Sequence, residues 1–157
     1  MRKRIITDAP RDAARVDQEW FNVEPLAQVE VTSEDAAYPV ESALVPGTER
    51  GWRAAQPGEQ TIRLLFDQPQ RLKHIRLVFE ERACERTQEF VLRWSPDGGV
   101  SYRDIVRQQW NFSPGGTVTE VEDYRVELAG VTVLELTIVP NKSGGESRAS
   151  LEQLRLA

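Results

Sequence analysis

The stretch TQEFVLRWSPDGGVSYRDIVRQQWNF, residues 87–112, decides the fold class. In its first half the large apolar residues Phe90, Leu92 and Trp94 occupy every second position. A period of two places one face of a β-strand on a core. The cluster Pro96–Gly99 then breaks the run and supplies the fixed φ and the positive-φ positions that a tight reversal needs. These residues therefore predict an antiparallel β-hairpin.

Similar short patterns recur through the rest of the chain. The alternation predicts strands at 26–31, 60–66, 75–79, 124–128, 134–138 and 151–156, and one helical turn at 41–45. Pro69 separates the predicted strand 60–66 from the predicted strand at 75–79. His74, beside the second of these strands, should face outward. A lone histidine on the surface is more often incidental than functional. Trp52, in an irregular connection, is expected to plug the core. About eight short strands without a long helix predict an antiparallel β-sandwich.

Composition limits the classes of partner. The chain has 157 residues, a net charge of −5 and interspersed charges, which argues against duplex nucleic acid or an anionic membrane as the main partner. The basic residues 2–4 are followed by no apolar segment of the kind that a secretory signal requires. One cysteine, Cys84, excludes an internal disulfide and fits a reducing compartment. We expect a cytoplasmic protein.

The domain organisation follows from where the β pattern begins. Residues 26–157 read as one sandwich, and residues 1–25 as an N-terminal extension that packs on it. Trp20 and Phe21 are the expected packing anchors, because large aromatics are buried far more often than they serve a ligand.

Several pieces of the sequence together resemble the discoidin domain, also called the coagulation factor V/VIII type C domain, of the galactose-binding-like superfamily. The resemblance runs from about residue 26 to the C-terminus, and its pieces are Ser42-Ala43-Leu44, Gly51-Trp52, Glu59–Phe66, Pro69, Glu89–Ser95 with Pro96-Asp97-Gly98, Tyr102 and Leu136–Pro140. It implies a jelly-roll β-sandwich with minor short helices, whose ligands bind in loops at one end. The commonest activity of the family is carbohydrate binding, and some branches bind lipid or protein.

The departures from the family pattern concern calcium and the compartment. Many members carry an Asp-Gly pair, often near a structural calcium, where this chain has Val45-Pro46-Gly47, and Gln153 replaces a glutamate of the last strand. Losing two carboxylates removes the charge that a hard cation needs, so a structural calcium is disfavoured and no cofactor is expected. The usual arginine of a late strand is Thr137 here, and the terminal cysteine pair is absent. These departures indicate an intracellular branch.

The loop before the hairpin contains Arg82 and Arg86, and sugar-binding relatives often place an arginine there. A guanidinium donates several hydrogen bonds at fixed angles, which suits hydroxyl groups. The alternative is that these alternating charges form a solvated surface. Either arginine is a candidate ligand contact.

Three further candidates lie on the hairpin and on the last polar loop. Trp110 beside Asn111 offers an apolar ring and an orienting amide, as a sugar platform requires, although strand parity favours core packing for the tryptophan and exposure for Asn111. Asn141 opens the loop 141–146, where the asparagine either contacts a ligand or closes a turn.

No catalytic arrangement emerges. The chain has one histidine, no nucleophile elbow, no glycine-rich phosphate loop and no His/Cys spacing typical of a metal site. Any two of the 25 acidic residues could meet in space, so paired carboxylates stay open. We expect a non-catalytic protein.

Two hypotheses remain. The first is a carbohydrate-binding module, which predicts an exposed aromatic in a concave cluster of loops. The second is an intracellular protein-interaction or scaffolding domain that has lost the sugar site, which predicts an apolar patch on a sheet face or edge. The oligomeric state is left open by the sequence.

Overall fold

The computed structural model describes residues 20–47 and 50–157. These residues form an antiparallel β-sandwich of eight strands and one short helix, which confirms the predicted fold class. The elements are β1 Ala27–Val31, α1 Glu41–Leu44, β2 Trp52–Pro57, β3 Gln60–Glu80, β4 Arg86–Ser95, β5 Arg103–Phe112, β6 Thr119–Val139, β7 Arg148–Leu151 and β8 Gln153–Leu156. Within the described residues, no helix is long and apolar enough to cross a membrane.

The predicted hairpin is confirmed as β4 and β5, which pair antiparallel from Arg86 opposite Phe112. Gly98 and Gly99 adopt the positive φ angles of 74° and 96° that the turn requires. The carboxylate of Asp97 accepts hydrogen bonds from the hydroxyl and backbone N–H of Ser101, which lower the pKa of Asp97 to about 2. The turn is therefore fixed by local hydrogen bonds as well as by its glycines.

The main sheet has the order β1-β3-β6-β4-β5, and β8 pairs with the second half of β3. The first half of β3 pairs with β1 and with the second half of β6, whereas its second half pairs with β8 and the first half of β6. The register between β3 and β6 shifts three times between Leu65 and His74. Such bulges bend a strand, so β3 and β6 each contribute to both sides of the core.

The prediction of separate strands around Pro69 and Gly130 is wrong, because β3 and β6 each continue through those residues. Pro69 lies in the gap between the paired residues Leu65 and Gln70, where its missing N–H breaks no ladder hydrogen bond. Gly130 adopts a φ of 76° beside the same irregular segment. Both residues mark a bulge rather than a chain reversal.

Two smaller predictions also need correction. Trp52 is buried as expected, but it begins strand β2, which pairs with β7, instead of lying in an irregular connection. The predicted last strand is two strands, β7 and β8, which pair with different partners. In both cases the pairing partner is far away in sequence, so local pattern could not reveal it.

The N-terminal extension predicted at 1–25 falls mostly outside the described residues, which begin at Trp20. Phe21 donates a backbone hydrogen bond of 2.7 Å to Leu156, and the ring of Trp20 lies 4.6 Å from that of His74. The two aromatics therefore pack on the sandwich, as predicted.

His74 contradicts its prediction as an exposed residue, because only 3% of it is accessible. Its neighbour Ile75 is part of the core, so His74 is on the opposite face of β3, where Trp20 covers it and Asp123 contacts its Nε2. Strand parity gave the correct side of the strand but could not show what covers it.

Several loops converge at one end of the sandwich. Glu81 donates a backbone hydrogen bond to Val118, and Lys142 donates one to Thr87, both of 2.8 Å. Gly58 donates to Ser147 at 3.1 Å. The segments 81–85, 113–118 and 140–147 are thereby held together around the start of β4.

Candidate ligand-binding clefts

One cleft at this end is lined by the start of β4, the end of β5 and the loop after β6. We call it the polar cleft. Its volume is about 520 Å³, and it is lined by Glu85, Arg86, Thr87, Asn111, Phe112, Ser113, Asn141 and Ser143. Thr87 and Asn111 are register partners on β4 and β5, so the hairpin itself places them side by side. Most of the lining groups are amides and hydroxyls.

Arg86 forms the inner wall of the polar cleft, and its side chain is fully buried. Its Nε donates to Glu81 Oε1 at 2.8 Å, and its Nη1 donates to the carbonyl of Pro140 at 2.7 Å and to Gln88 Oε1 at 3.2 Å. The guanidinium lies 4.8 Å from the ring centroid of Phe112. Its Nη2 is buried and has no hydrogen-bond partner.

The two asparagines of the polar cleft use their oxygens within the protein. Asn111 Oδ1 accepts from Thr87 Oγ1 at 2.7 Å, and Asn141 Oδ1 accepts from the backbone N–H of Ser143 at 3.1 Å. Neither Nδ2 has a hydrogen-bond partner among the described residues. Each amide therefore retains both of its N–H donors for a ligand.

A second cleft, which we call the charged cleft, lies on the other side of the loop 81–86. Its volume is about 620 Å³, and it is lined by Asp35, Arg53, Glu80, Glu81, Arg82, Ala83, Cys84, Arg148, Ser150 and Glu152. Arg82 forms an ion pair with Glu80, and the guanidinium of Arg53 lies 4.5 Å from the ring centroid of Tyr38. Cys84 is exposed.

Two carboxylates of the charged cleft have shifted pKa values. Burial alone opposes the ionisation of Glu81, but the hydrogen bond and charge of Arg86 hold the pKa of Glu81 below its ordinary value. Burial raises the pKa of Glu152, and the negative charge of Glu80 acts in the same direction. Glu81 connects the clefts, since it lines the charged cleft and pairs with Arg86 of the polar cleft.

The structure brings Arg86, Asn111 and Asn141 together at the polar cleft, as one binding site requires. It places Arg82 in the charged cleft, although Arg82 is only four positions from Arg86. Trp110 lines neither cleft. It is half-buried against the core with its indole Nε1 enclosed, so core packing explains this residue, whereas Asn111 is exposed as strand parity predicted.

Sequence reasoning missed several lining residues. Thr87, Ser113 and Ser143 each lie within two positions of a predicted site residue, so their proximity was a usable signal. Arg53 and Arg148 reach the charged cleft through the pairing of β2 with β7, which no sequence pattern announced.

The carbohydrate hypothesis predicts an exposed aromatic ring among the loops, and the interaction hypothesis predicts an apolar patch on the surface. Few large apolar side chains are exposed in the described part of the chain. The large hydrophobic residues that are exposed there are Val100 and Val121, and the aromatic residues Trp110 and Tyr124 are partly buried against the core. No group of three or more His, Cys, Asp or Glu side chains among the described residues is placed to hold a metal ion.

Comparison with solved structures finds carbohydrate-binding modules of family 32. The C. perfringens NanJ module, solved in complex with galactose, has a TM-score of 0.63 and 12% identity, covering 88% of this chain and 97% of that one. The AlyQ module in complex with 4,5-unsaturated mannuronic acid has a TM-score of 0.62 and 14% identity, covering 84% and 95%. At these identities the similarity establishes a shared β-sandwich fold.

A third module, from Clostridium perfringens in complex with GalNAc-β-1,3-galactose, has a TM-score of 0.64 and 15% identity, covering 87% of this chain and 98% of that one. No family model and no curated protein matches the sequence. The family 32 modules have the galactose-binding-like fold, to which the discoidin domain is related.

Proposed function

We propose that this chain is a non-catalytic carbohydrate-binding module of the discoidin type that binds a saccharide in the polar cleft. The observation that carries the proposal is a pair of nitrogen donors at one cleft, Nδ2 of Asn111 and of Asn141, which make no hydrogen bond within the described residues and lie in front of the buried cation of Arg86. A ligand rich in acceptor oxygens is the complement of such a cleft.

Sugar hydroxyls fit this set better than a purely anionic ligand. The exposed carboxylate of Glu85 and the hydroxyls of Ser113 and Ser143 offer acceptors beside the donors. A hydroxyl both donates and accepts, so it can satisfy either kind of group. The ligands of the solved modules, galactose, an unsaturated mannuronic acid and GalNAc-β-1,3-galactose, support the same class.

Binding through this cleft should be of modest affinity. Phe112 is fully buried, so no ring is available for stacking, and hydrogen bonds to water-exposed groups give a small net gain. The alternative of an intracellular interaction domain predicts an apolar patch, and Val100 and Val121 are the exposed large hydrophobic residues of the described part of the chain. The cytoplasmic location expected from the sequence remains part of the proposal.

The test is a glycan array that includes neutral and uronic-acid saccharides, probed with the full chain, followed by titration calorimetry on each hit. The double variant Asn111→Ala/Asn141→Ala should lose most of the affinity. The matched control is Arg148→Ala in the charged cleft, which should retain it.

Loss of binding in the Arg148 control but not in the asparagine variant would move the saccharide to the charged cleft. A folded protein that is silent across the array would overturn the carbohydrate proposal in favour of an interaction domain, and affinity purification from the native cell would then be the next experiment.

A further inference from the structure

A line of buried polar side chains runs from the polar cleft into the core. Arg86 Nη1 donates to Gln88 Oε1 at 3.2 Å, and Gln88 Nε2 donates to Glu120 Oε1 at 3.2 Å. Gln88 and Glu120 are both completely inaccessible to solvent. A fully buried carboxyl group beside a fully buried amide is costly unless each atom is satisfied, so this line calls for an explanation.

The line contains one unused donor and one unused acceptor. Nη2 of Arg86 and Oε2 of Glu120 are both buried without a hydrogen-bond partner. A protonated carboxyl oxygen becomes a donor, so Oε2 of a neutral Glu120 is able to donate a hydrogen bond, and the nearby carboxylate of Glu122 favours this neutral form. The surroundings of Glu120 therefore favour its neutral form. In a second arrangement, Glu120 is ionised and attracts the guanidinium of Arg86.

The groups around Glu120 favour the neutral form on balance. Arg86 on β4 is the nearby cation, whereas Glu122 on β6 is a like charge, whose Oε2 accepts from the hydroxyl of Tyr124 at 2.8 Å. On β3, the side chains nearest in register are the apolar Leu77 and Phe79. Burial and then Glu122 raise the pKa of Glu120 to about 8, against smaller opposing effects of Gln88 and Arg86.

We propose that Gln88 and Glu120 are positioning residues for Arg86, and that the protonation of Glu120 controls the shape of the polar cleft. With Glu120 neutral, Arg86 holds the carbonyl of Pro140 at 2.7 Å. Because Pro140 directly precedes Asn141, this hydrogen bond fixes the position of Asn141 and of its Nδ2 donor at the polar cleft. When Glu120 ionises, its buried negative charge requires a partner. The guanidinium of Arg86 then rotates away from the carbonyl of Pro140 and towards Glu120, along the hydrogen bonds that Gln88 makes to both side chains.

Glu120 does not act on a ligand in the polar cleft by direct contact. Glu120 lies 32 positions from Gln88 in sequence and does not line the polar cleft. The hydrogen bonds provide a route from Glu120 to the residue before Asn141, through Gln88 and Arg86. A structural role alone would affect stability without linking the loop to a proton.

The experiment uses the full chain without any saccharide. The carboxyl carbon of Glu120 and the side-chain amides of Asn111 and Asn141 are followed by NMR from acidic to alkaline pH. In the wild type the Asn141 amide should shift with the same midpoint as Glu120, near pH 8. In Glu120→Gln, which mimics the neutral acid, the amide should not move.

Two further variants distinguish an effect carried by the hydrogen bonds from Glu120 through Gln88 to Arg86 from a direct effect of the Glu120 charge on Asn141. Gln88→Met should let Glu120 titrate while the Asn141 amide stays still. Glu122→Gln should lower the midpoint and keep the two signals together. A Glu120 that ionises near its ordinary value, or an Asn141 amide that ignores the titration in the wild type, would overturn the inference.

The consequence for binding rests on the proposed function. The affinity for a saccharide found on the array should fall above the midpoint in the wild type and stay constant in Glu120→Gln. An affinity that ignores a verified shift of the Asn141 amide would disprove control of binding. Failure of the carbohydrate proposal leaves the NMR experiment valid, so the two failures are distinguishable.

Discussion

The polar cleft and the charged cleft share one loop, residues 81–86, yet their charges are arranged in opposite ways. In the charged cleft, ionic groups such as Arg82 and Glu80 are exposed and pair with each other. In the polar cleft the one cation, Arg86, is buried behind neutral amides. The contrast shows that the number of charged residues lining a cleft does not identify a binding site, because exposed charges form ion pairs with each other or are hydrated.

The buried arginine should respond most strongly to substitution. Arg86→Met leaves Glu81 and the carbonyl of Pro140 without their partner, and breaking a buried ion pair of this kind costs about 3–5 kcal/mol. The matched change Arg82→Met in the charged cleft should cost less than about 1 kcal/mol, because that pair is exposed. Urea denaturation measures both, and equal losses would contradict the contrast between the clefts.

The next largest effect should be a pH dependence of stability that comes from Glu120, which is buried behind Arg86 and Gln88. The pKa of Glu120 is raised from 4.5 to about 8, so the folded state binds the extra proton between these values. Its contribution is complete below about pH 4.5 and declines as the pH rises to about 8.

A shift from 4.5 to about 8 corresponds to about 5 kcal/mol, since one pKa unit corresponds to about 1.4 kcal/mol. Relaxation of the protein around the ionised carboxylate reduces this value, so we expect the free energy of unfolding to fall by roughly 3 kcal/mol. Denaturant midpoints across the window should fall in the wild type and fall much less in Glu120→Gln. An unchanged slope in the variant would assign the pH dependence to another group.

Single asparagine substitutions should have a moderate effect that is confined to binding. Asn141→Ala and Asn111→Ala each remove a donor worth about 1 kcal/mol, which corresponds to an affinity loss of roughly fivefold to tenfold. Calorimetry with an array hit measures the loss. Because Asn111 is exposed, its replacement should leave the thermal midpoint almost unchanged, and a large fall in that midpoint would indicate a structural role instead.

The smallest effect should come from Arg148→Ala in the charged cleft. Its side chain is exposed and has no hydrogen bond or ion pair among the described residues. Substitutions of this kind change stability by less than about 0.5 kcal/mol. A large loss of either stability or neutral-saccharide affinity would show that the two clefts act as one site.

Most of the architecture could be predicted because its signals are local. The hairpin from Arg86 to Phe112 is encoded by alternation and by a turn of proline and glycine, all within a few positions. The errors at Pro69 and Gly130 arose where one local signal has two meanings, since a strand-breaking residue also fits a bulge. Only the pairing of β3 with β6 decides between these meanings.

The candidate site was predictable in part. Asn111 could be assigned to the surface because strand parity alone decides it, and Asn141 because a polar loop follows a strand. Arg82 and Arg86 could not be told apart, since both are arginines in one charged loop. Their environments differ because β4 begins at Arg86, which directs its side chain onto Phe112 and towards Pro140, whereas Arg82 stays in the loop.

The sequence by itself determined that this protein is an antiparallel β-sandwich with a tight central hairpin, because these features follow from period-two alternation and from the φ preferences of proline and glycine. The tertiary structure decided which polar groups are buried together. Trp20 covers His74, and Gln88 forms a hydrogen bond with Glu120, which is 32 positions away in sequence. Such contacts depend on where distant segments pack, and no local pattern carries that information.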